Sequence, residues 1–253
     1  MTFMTQASLA DILTSRGKKL YRAKRALNPF THDESAIVLL NDIKQYPHLF
    51  VFGCVMDRQV KSERAWSIPI RFANALGTPD FSAFAALRPA AVTRLITVPE
   101  PLHRFPKKMG KILMEAIELI AHTYGGDASR IWCNRPSSAE VVLRFLAFPG
   151  VGPKIATVAT NILARHFKVP FSDYYSVDIS VDRHVRRVFT RLGFIEPTDS
   201  REQIIFKARA LSPQFPGLLD FPVWEIGRTW CKPGRPSCGE CYLANACPTG
   251  RCV

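Results

Sequence analysis

The chain has 253 residues, 47% of them apolar, with 34 Lys and Arg against 21 Asp and Glu for a formal net charge of +13. That apolar share excludes a mainly disordered chain, and the length fits one large or two small domains with a real core. The apolar stretch Leu49–Met56 falls well short of the ~20 residues that cross a bilayer, so no membrane association is expected.

Met1–Asp11 has no charged start followed by an apolar core, so no secretory signal is visible and a cytoplasmic location is expected, nucleoid-associated in a bacterium. Thiols stay reduced there, and seven cysteines ask for a metal before a disulfide. The positive charge favours a polyanion, DNA or RNA being the commonest. It does not by itself separate an enzyme from a passive binder.

In chain order, Arg16, Lys18, Lys19, Arg22, Lys24 and Arg25 form a first basic run without an acid. It reads as a phosphate-facing surface, a solvated helix face or a mobile tail. Ser35–Gln45 places Ile37, Val38, Leu40 and Ile43 on one helical side. Leu49–Leu76 reads as two helices broken near Trp66–Pro69. Pro79 and Pro89 sit where first helical turns begin. Lys107–Tyr124 is an amphipathic helix stopped by Gly125-Gly126. Ser137 with Glu140 forms a capping box before Val141–Leu146, and Asp199 with Glu202 does the same before Ile204–Leu211. A second basic run holds Arg183, Arg186, Arg187 and Arg191. Strand alternation is scarce, and the fold class read from this is all-α, in two helical lobes.

Two helices meet at Pro149-Gly150-Val151-Gly152. The glycines allow a sharp turn and a close approach to another molecule. Pro153 suits a first helical position, and the turn amides at the helix N-terminus suit a phosphate. Lys154 follows at once. The helix dipole opposes an ammonium there, and apolar Ile155 and Val158 are expected to desolvate it, as an amine nucleophile requires. The bland reading is a lysine that touches phosphate or solvent.

Val177–Val188 holds Asp178 and Asp182, and Asp182 opens a helix that runs to Leu192 and ends at Gly193. It reads as an N-cap, and as an ionised carboxylate able to assist proton transfer and stabilise positive charge on a sugar. His184 reads as a structural hydrogen-bonding residue. Cys231, Cys238, Cys241 and Cys247 are spaced C-x6-C-x2-C-x5-C, which suits Zn²⁺ or a [4Fe–4S] cluster. Cys252 is a substitute ligand candidate, while Cys54 and Cys133 read as core thiols. Lys232 and Arg235 lie between the first two ligands, on a loop stiffened by Pro and Gly that would offer charge to a phosphate backbone.

Three motifs in this order, Phe148-Pro-Gly-Val-Gly-Pro-Lys154, Val181-Asp-Arg-His-Val-Arg-Arg-Val188 and the four-cysteine set, resemble the helix-hairpin-helix DNA glycosylase superfamily and its endonuclease III branch. Trp224–Trp230 matches the helix leading into the cysteine loop, and weaker similarity reaches back to about Pro47. The resemblance implies a [4Fe–4S] cluster rather than zinc. It implies a six-helix barrel carrying the hairpin over 46–167, with the hairpin at about 138–167. It further implies a discontinuous lobe from 1–45 and 168–253 with the cluster loop at 231–247, and a cleft between the lobes.

For function, the resemblance implies a monomer acting on double-stranded DNA that carries a damaged or mismatched base or an abasic site. The base is flipped out, Lys154 attacks the sugar C1′ with help from Asp182, and β-elimination nicks the strand. Gln59 aligns with the residue that fills the gap left by the base. Leu102 sits near the apolar wedge, with Phe105 an equal candidate. Gly150, Val151 and Gly152 would bind the backbone with Lys232 and Arg235. Departures lie in the long aromatic stretch Phe167–Tyr175, in the segment 98–106 with three prolines and His103, and in the unmatched residues 1–45. They leave the lesion open among oxidised pyrimidines, uracil, thymine mismatches and alkylated purines. Two other readings stand beside this one: a monofunctional glycosylase using Asp182 and water, and a non-catalytic iron–sulfur DNA binder.

Overall fold

The computed structural model describes residues 6–24 and 26–250; Arg25 and Cys252 lie outside the described residues. Among the described residues the chain is all-α, without a strand. Its helices are α1 (Gln6–Arg22), α2 (Glu34–Asn41), α3 (Pro47–Met56), α4 (Ser62–Leu76), α5 (Phe81–Ala85) and α6 (Pro89–Thr97). They continue with α7 (Pro106–Thr123), α8 (Ser138–Leu146), α9 (Pro153–Arg165), α10 (Arg183–Arg191), α11 (Arg201–Leu211) and α12 (Asp220–Thr229). Two compact units emerge. A terminal unit takes the described residues of Met1–Lys24, Ser137–Ala139 and Ser172–Val253, and a central unit takes those of Arg25–Pro136 and Glu140–Phe171.

The central unit is built around α3. Every residue of Pro47–Met56 is buried, as expected of a helix that is apolar on all sides but for His48, whose Nε2 meets the Pro79 carbonyl at 2.8 Å. It packs against α2, α4, α7 and α9. Gly53 lets α4 cross closely, because a Cβ there would strike the Trp66 ring. The break between α3 and α4 lies at 57–61 rather than at Trp66–Pro69. Pro69 sits inside α4, in a buried stripe with Ala65, Trp66, Ile68, Ile70, Phe72 and Ala73. An interior proline costs a helix ~3 kcal/mol, and burial of such a stripe outweighs it. Gly125 and Gly126 end the long α7 as read, the Gly126 N–H returning to the Ile120 carbonyl at 3.0 Å. Phe30 stacks on Trp66 at 4.2 Å and meets Phe50 and Phe167. That contact ties the segment before α2 into this core.

In the terminal unit, Leu9 and Leu13 of α1 join Val185, Val188 and Phe189 of α10 and Val223 and Ile226 of α12 in one core. Gly17 lets α1 lie directly on the Leu218 carbonyl, where a Cβ would collide. Arg16 forms an ion pair with Glu225 at 2.8 Å. The first basic run therefore lies largely on a docked helix and is not a mobile tail. The cap of α11 is Ser200 with Gln203, one position later than Asp199 with Glu202. Asp199 instead accepts the Glu196 N–H at 2.9 Å, which closes the preceding turn. Asp178 holds Arg209 through two bonds of 2.8 Å, so it is an ion-pair partner. In the stretch after Phe171, Tyr174 stacks on Phe215 at 4.8 Å and bonds the Tyr21 hydroxyl at 2.9 Å.

Candidate functional site

The hairpin α8–α9 belongs, from Glu140 onward, to the central unit. Phe148 and Val151 anchor its turn from within; both are buried, and the Val151 N–H returns to the Phe148 carbonyl at 3.0 Å. Val151 thus presents backbone, not side chain, to any ligand. Gly150 has φ +79°, and a Cβ there would lie 2.8 Å from the Arg58 guanidinium and 3.1 Å from Ile112. Gly152 faces open space. It is the N-cap of α9 and offers no side-chain bond to the helix amides. Pro153 takes the first helical position. The outcome is a helix N-terminus whose amides and dipole are available to an anion.

Lys154 is exposed on that end. Ile155 and Val158 do not enclose it, so the expected desolvation is not supplied by this unit's own packing. Three other predicted parts converge on the same unit. Gln59 is exposed, with φ +54° in the left-handed region, in the turn after α3. The loop after α6 is tied to α4 by Arg64, which donates to the Leu102 carbonyl at 2.9 Å and to the Pro101 carbonyl. Leu102 is partly buried. Phe105 is 41% exposed beneath the Arg104 guanidinium, so of the two wedge candidates it projects further. Lys107, Lys108 and Lys111 are exposed just beyond it.

Sequence reasoning missed the residues that join these parts. Arg58 lies over Gly150 and links the turn to the hairpin. His103 is fully buried, and its Nδ1 accepts the Phe105 N–H at 3.0 Å. Burial lowers its affinity for a second proton, opposed by the backbone of Met56 and Arg58 lying against the ring. The available signal was Asp57-Arg58-Gln59, three polar residues directly after a helix that is apolar at every position but His48.

In the terminal unit, Asp182 caps α10. Its Oδ1 accepts the N–H groups of His184 and Val185 at 2.7 and 2.8 Å. Both bonds fall on one oxygen, and the other has no hydrogen bond among the described residues. His184 contacts Arg187 through Nδ1 at 3.0 Å, in keeping with a structural role.

Cys231, Cys238, Cys241 and Cys247 line one pocket with Val188, Leu192, Ile226, Trp230 and Leu243. Burial raises the proton affinity of the Cys241 thiol, and the other three sulfurs add to it, which marks them as close neighbours. No set of three or more His, Cys, Asp or Glu among the described residues is arranged to hold a single ion. The second basic run largely serves this loop. Arg187 donates to the Cys231 carbonyl at 2.7 Å, and Arg191 donates to the Lys232 and Pro233 carbonyls and, at 3.1 Å, to the Cys231 sulfur. Arg186 donates to the Asp199 carbonyl. Only Arg183 of that run is exposed, whereas Lys232 and Arg235 are both exposed. Cys54 is a buried core thiol.

Residues 52–214 match the model of the HhH-GPD superfamily base excision DNA repair proteins. The chain belongs to that superfamily. It is 30% identical over 155 residues to endonuclease III of Thermotoga maritima, covering 59% of this chain and 63% of that protein. It is 36% identical over 110 residues to endonuclease III of Synechocystis, covering 42% and 44%. The matched part thus spans less than two thirds of these relatives. The fold matches a trapped endonuclease III–DNA covalent intermediate with a TM-score of 0.61 at 18% identity, over 98% of both chains. It matches a thermostable thymine-DNA glycosylase with a TM-score of 0.63 at 15% identity, over 97% and 98%. At those identities the likeness is one of fold.

Proposed function

We propose that this protein is a bifunctional DNA glycosylase and AP lyase of base excision repair. The observation that carries the reading is Lys154, exposed at the second position of α9, directly after a glycine turn whose amides lack a side-chain cap. The turn seats a backbone phosphate, which brings the adjoining nucleotide to the amine. With the base flipped out, the Lys154 nitrogen bonds to C1′ as the C1′–base bond breaks. Asp182 assists through its uncapped oxygen, stabilising positive charge that develops on the sugar. The resulting Schiff base permits β-elimination and strand scission. Gln59 and the loop bearing Leu102 and Phe105 act on the gap left in the duplex. The partner is double-stranded DNA with a damaged or mismatched base or an abasic site. We assign it to a monomeric protein in the cytoplasm.

Cys231, Cys238, Cys241 and Cys247 would hold a [4Fe–4S] cluster. Support comes from an all-thiol donor set around one apolar pocket, with an arginine N–H directed at one sulfur. The cluster would supply a covalent clamp on the loop that presents Lys232 and Arg235. Cys238→Ser is expected to remove the yellow-brown colour and weaken DNA binding; unchanged colour and affinity would refute its ligand role.

The deciding experiment is borohydride trapping on a panel of lesion-bearing duplexes, with Lys154→Gln and Asp182→Asn beside the wild type. A covalent adduct that needs Lys154 supports the reading. Base release without an adduct in the wild type replaces it with the monofunctional mechanism, in which Asp182 activates water. Neither release nor adduct on any lesion leaves a DNA binder.

A further inference from the structure

We propose that Arg64 is a positioning residue for base extrusion: its guanidinium braces the loop bearing Leu102 and Phe105, so that this loop meets the duplex already shaped. The inference rests on the reading of that loop as the part that enters the gap. Arg64 is exposed, at the third position of α4. Its Nε donates to the Leu102 carbonyl at 2.9 Å, and its Nη2 donates to the Pro101 carbonyl. One planar fork thus spans two consecutive peptide groups, a geometry that a lysine ammonium does not reproduce. A cation in a first helical turn opposes the helix dipole, and α4 already starts at Lys61 without a side-chain cap. Helix stability therefore does not account for this arginine, whereas the loop it holds does.

The rest of the loop is closed by its own backbone and one buried ring. The Leu102 N–H returns to the Ile96 carbonyl at 2.9 Å, so both backbone polar groups of Leu102 are engaged. Next to it His103 is fully buried, and its Nδ1 takes the Phe105 N–H at 3.0 Å. The Phe105 carbonyl accepts the Met109 N–H at 2.9 Å, which carries the loop into α7. All of these ties are local to residues 96–109; the Arg64 bonds come from a helix some forty positions earlier. Residues 57–61, which include Gln59, run straight into α4. Arg64 thereby joins the Gln59 turn and the Leu102 loop in one brace.

Base stacking resists an inserted side chain. A loop that had to order on contact would lose backbone freedom at the expense of binding, and one that recoiled would not hold the gap open. The brace settles that cost in the free protein. It forms and breaks no covalent bond. It decides how far the apolar side chains enter, and the Lys154 chemistry follows once the nucleotide is out.

The test uses a duplex with a tetrahydrofuran abasic analogue, which offers Lys154 no aldehyde, and 2-aminopurine in the opposite strand. Saturating wild type should raise the 2-aminopurine fluorescence as the loop unstacks it, and the Leu102→Ala, Phe105→Ala double variant sets the floor. Arg64→Met should fall towards that floor, and at saturation its cyanoborohydride trapping on a true abasic duplex should slow ~10-fold. Arg64→Lys keeps the charge without the fork and should stay nearer Arg64→Met than wild type. The salt dependence of binding should be parallel in wild type and Arg64→Met. Melting of each variant is followed, with Arg64→Gln as a second neutral variant should Arg64→Met fold poorly. A folded neutral variant with wild-type fluorescence and trapping overturns the proposal. So does full rescue by Arg64→Lys with a salt slope lowered by about one in Arg64→Met, which makes Arg64 a phosphate contact. No fluorescence gain with wild type removes the loop from the gap, and this proposal with it, whatever Lys154 does. A gain without any wild-type adduct on the true abasic duplex overturns the Lys154 reading and leaves the brace standing.

Discussion

Helices α9 and α10 begin in opposite ways. At α9 the cap is a glycine without a side-chain bond, followed by Pro153 and an exposed Lys154. At α10 the cap is Asp182, which satisfies two amides with a single oxygen. The first end leaves its donors for something outside the protein. The second satisfies its own donors and so fixes a carboxylate in place. A helix N-terminus can therefore serve as a receptor for an anion or as a mount for one, and the capping residue decides which.

The strongest way to break this comparison is chemical. Lys154→Ala should abolish trapped adduct and strand scission on an abasic duplex, and any residual lyase activity would assign the amine elsewhere. Asp182→Asn comes next. Asn caps helices about as well as Asp, so melting should shift little, while base release falls roughly 10²–10⁴-fold. Asp182→Ala loses the cap too and should cost about 1 kcal/mol in a denaturant titration beyond the Asn variant. The two variants thereby separate the mount from the charge it carries.

Smaller effects sharpen the α9 side. Gly150→Ala forces a side chain into left-handed φ and against Arg58, and should destabilise by about 1–3 kcal/mol. Gly152→Ala meets open space, so stability should change by less than ~0.5 kcal/mol. Its effect should appear in DNA affinity instead, since the new methyl stands where a phosphate would rest. Equal losses of stability from both variants would contradict the division of roles. The affinity of the wild type should also fall steeply as salt is raised, and a flat response would argue against phosphate seating.

Much of this was legible in the chain because the signals are local. Gly-x-Gly-Pro-Lys writes a turn, a helix start and a surface amine into five consecutive residues, and the four cysteines advertise one pocket by spacing alone. The Gly125-Gly126 stop of α7 and the Asp182 cap likewise depend on the residues beside them. What sequence reasoning missed depends on distant partners. Pro69 looked like a breaker until the buried face of α4 was known. The Ser200–Gln203 cap displaced its neighbour because Asp199 was already engaged by Glu196. Arg187 and Arg191 read as outward charge, yet they are directed at carbonyls some forty positions later. Arg64 and His103 carried no motif, and their surroundings come from segments far apart in the chain.

The placement of α1 governs the order of assembly. Leu9 and Leu13 find their partners on α10 and α12, far later in the chain, and Gly17 waits for Leu218. The central unit has all its segments once residue 171 has emerged, while α1 still has an uncovered apolar stripe. That stripe is shielded only once α10 and α12 have been made. Nascent chains arrested between the two points are thus the species most prone to self-association or chaperone capture.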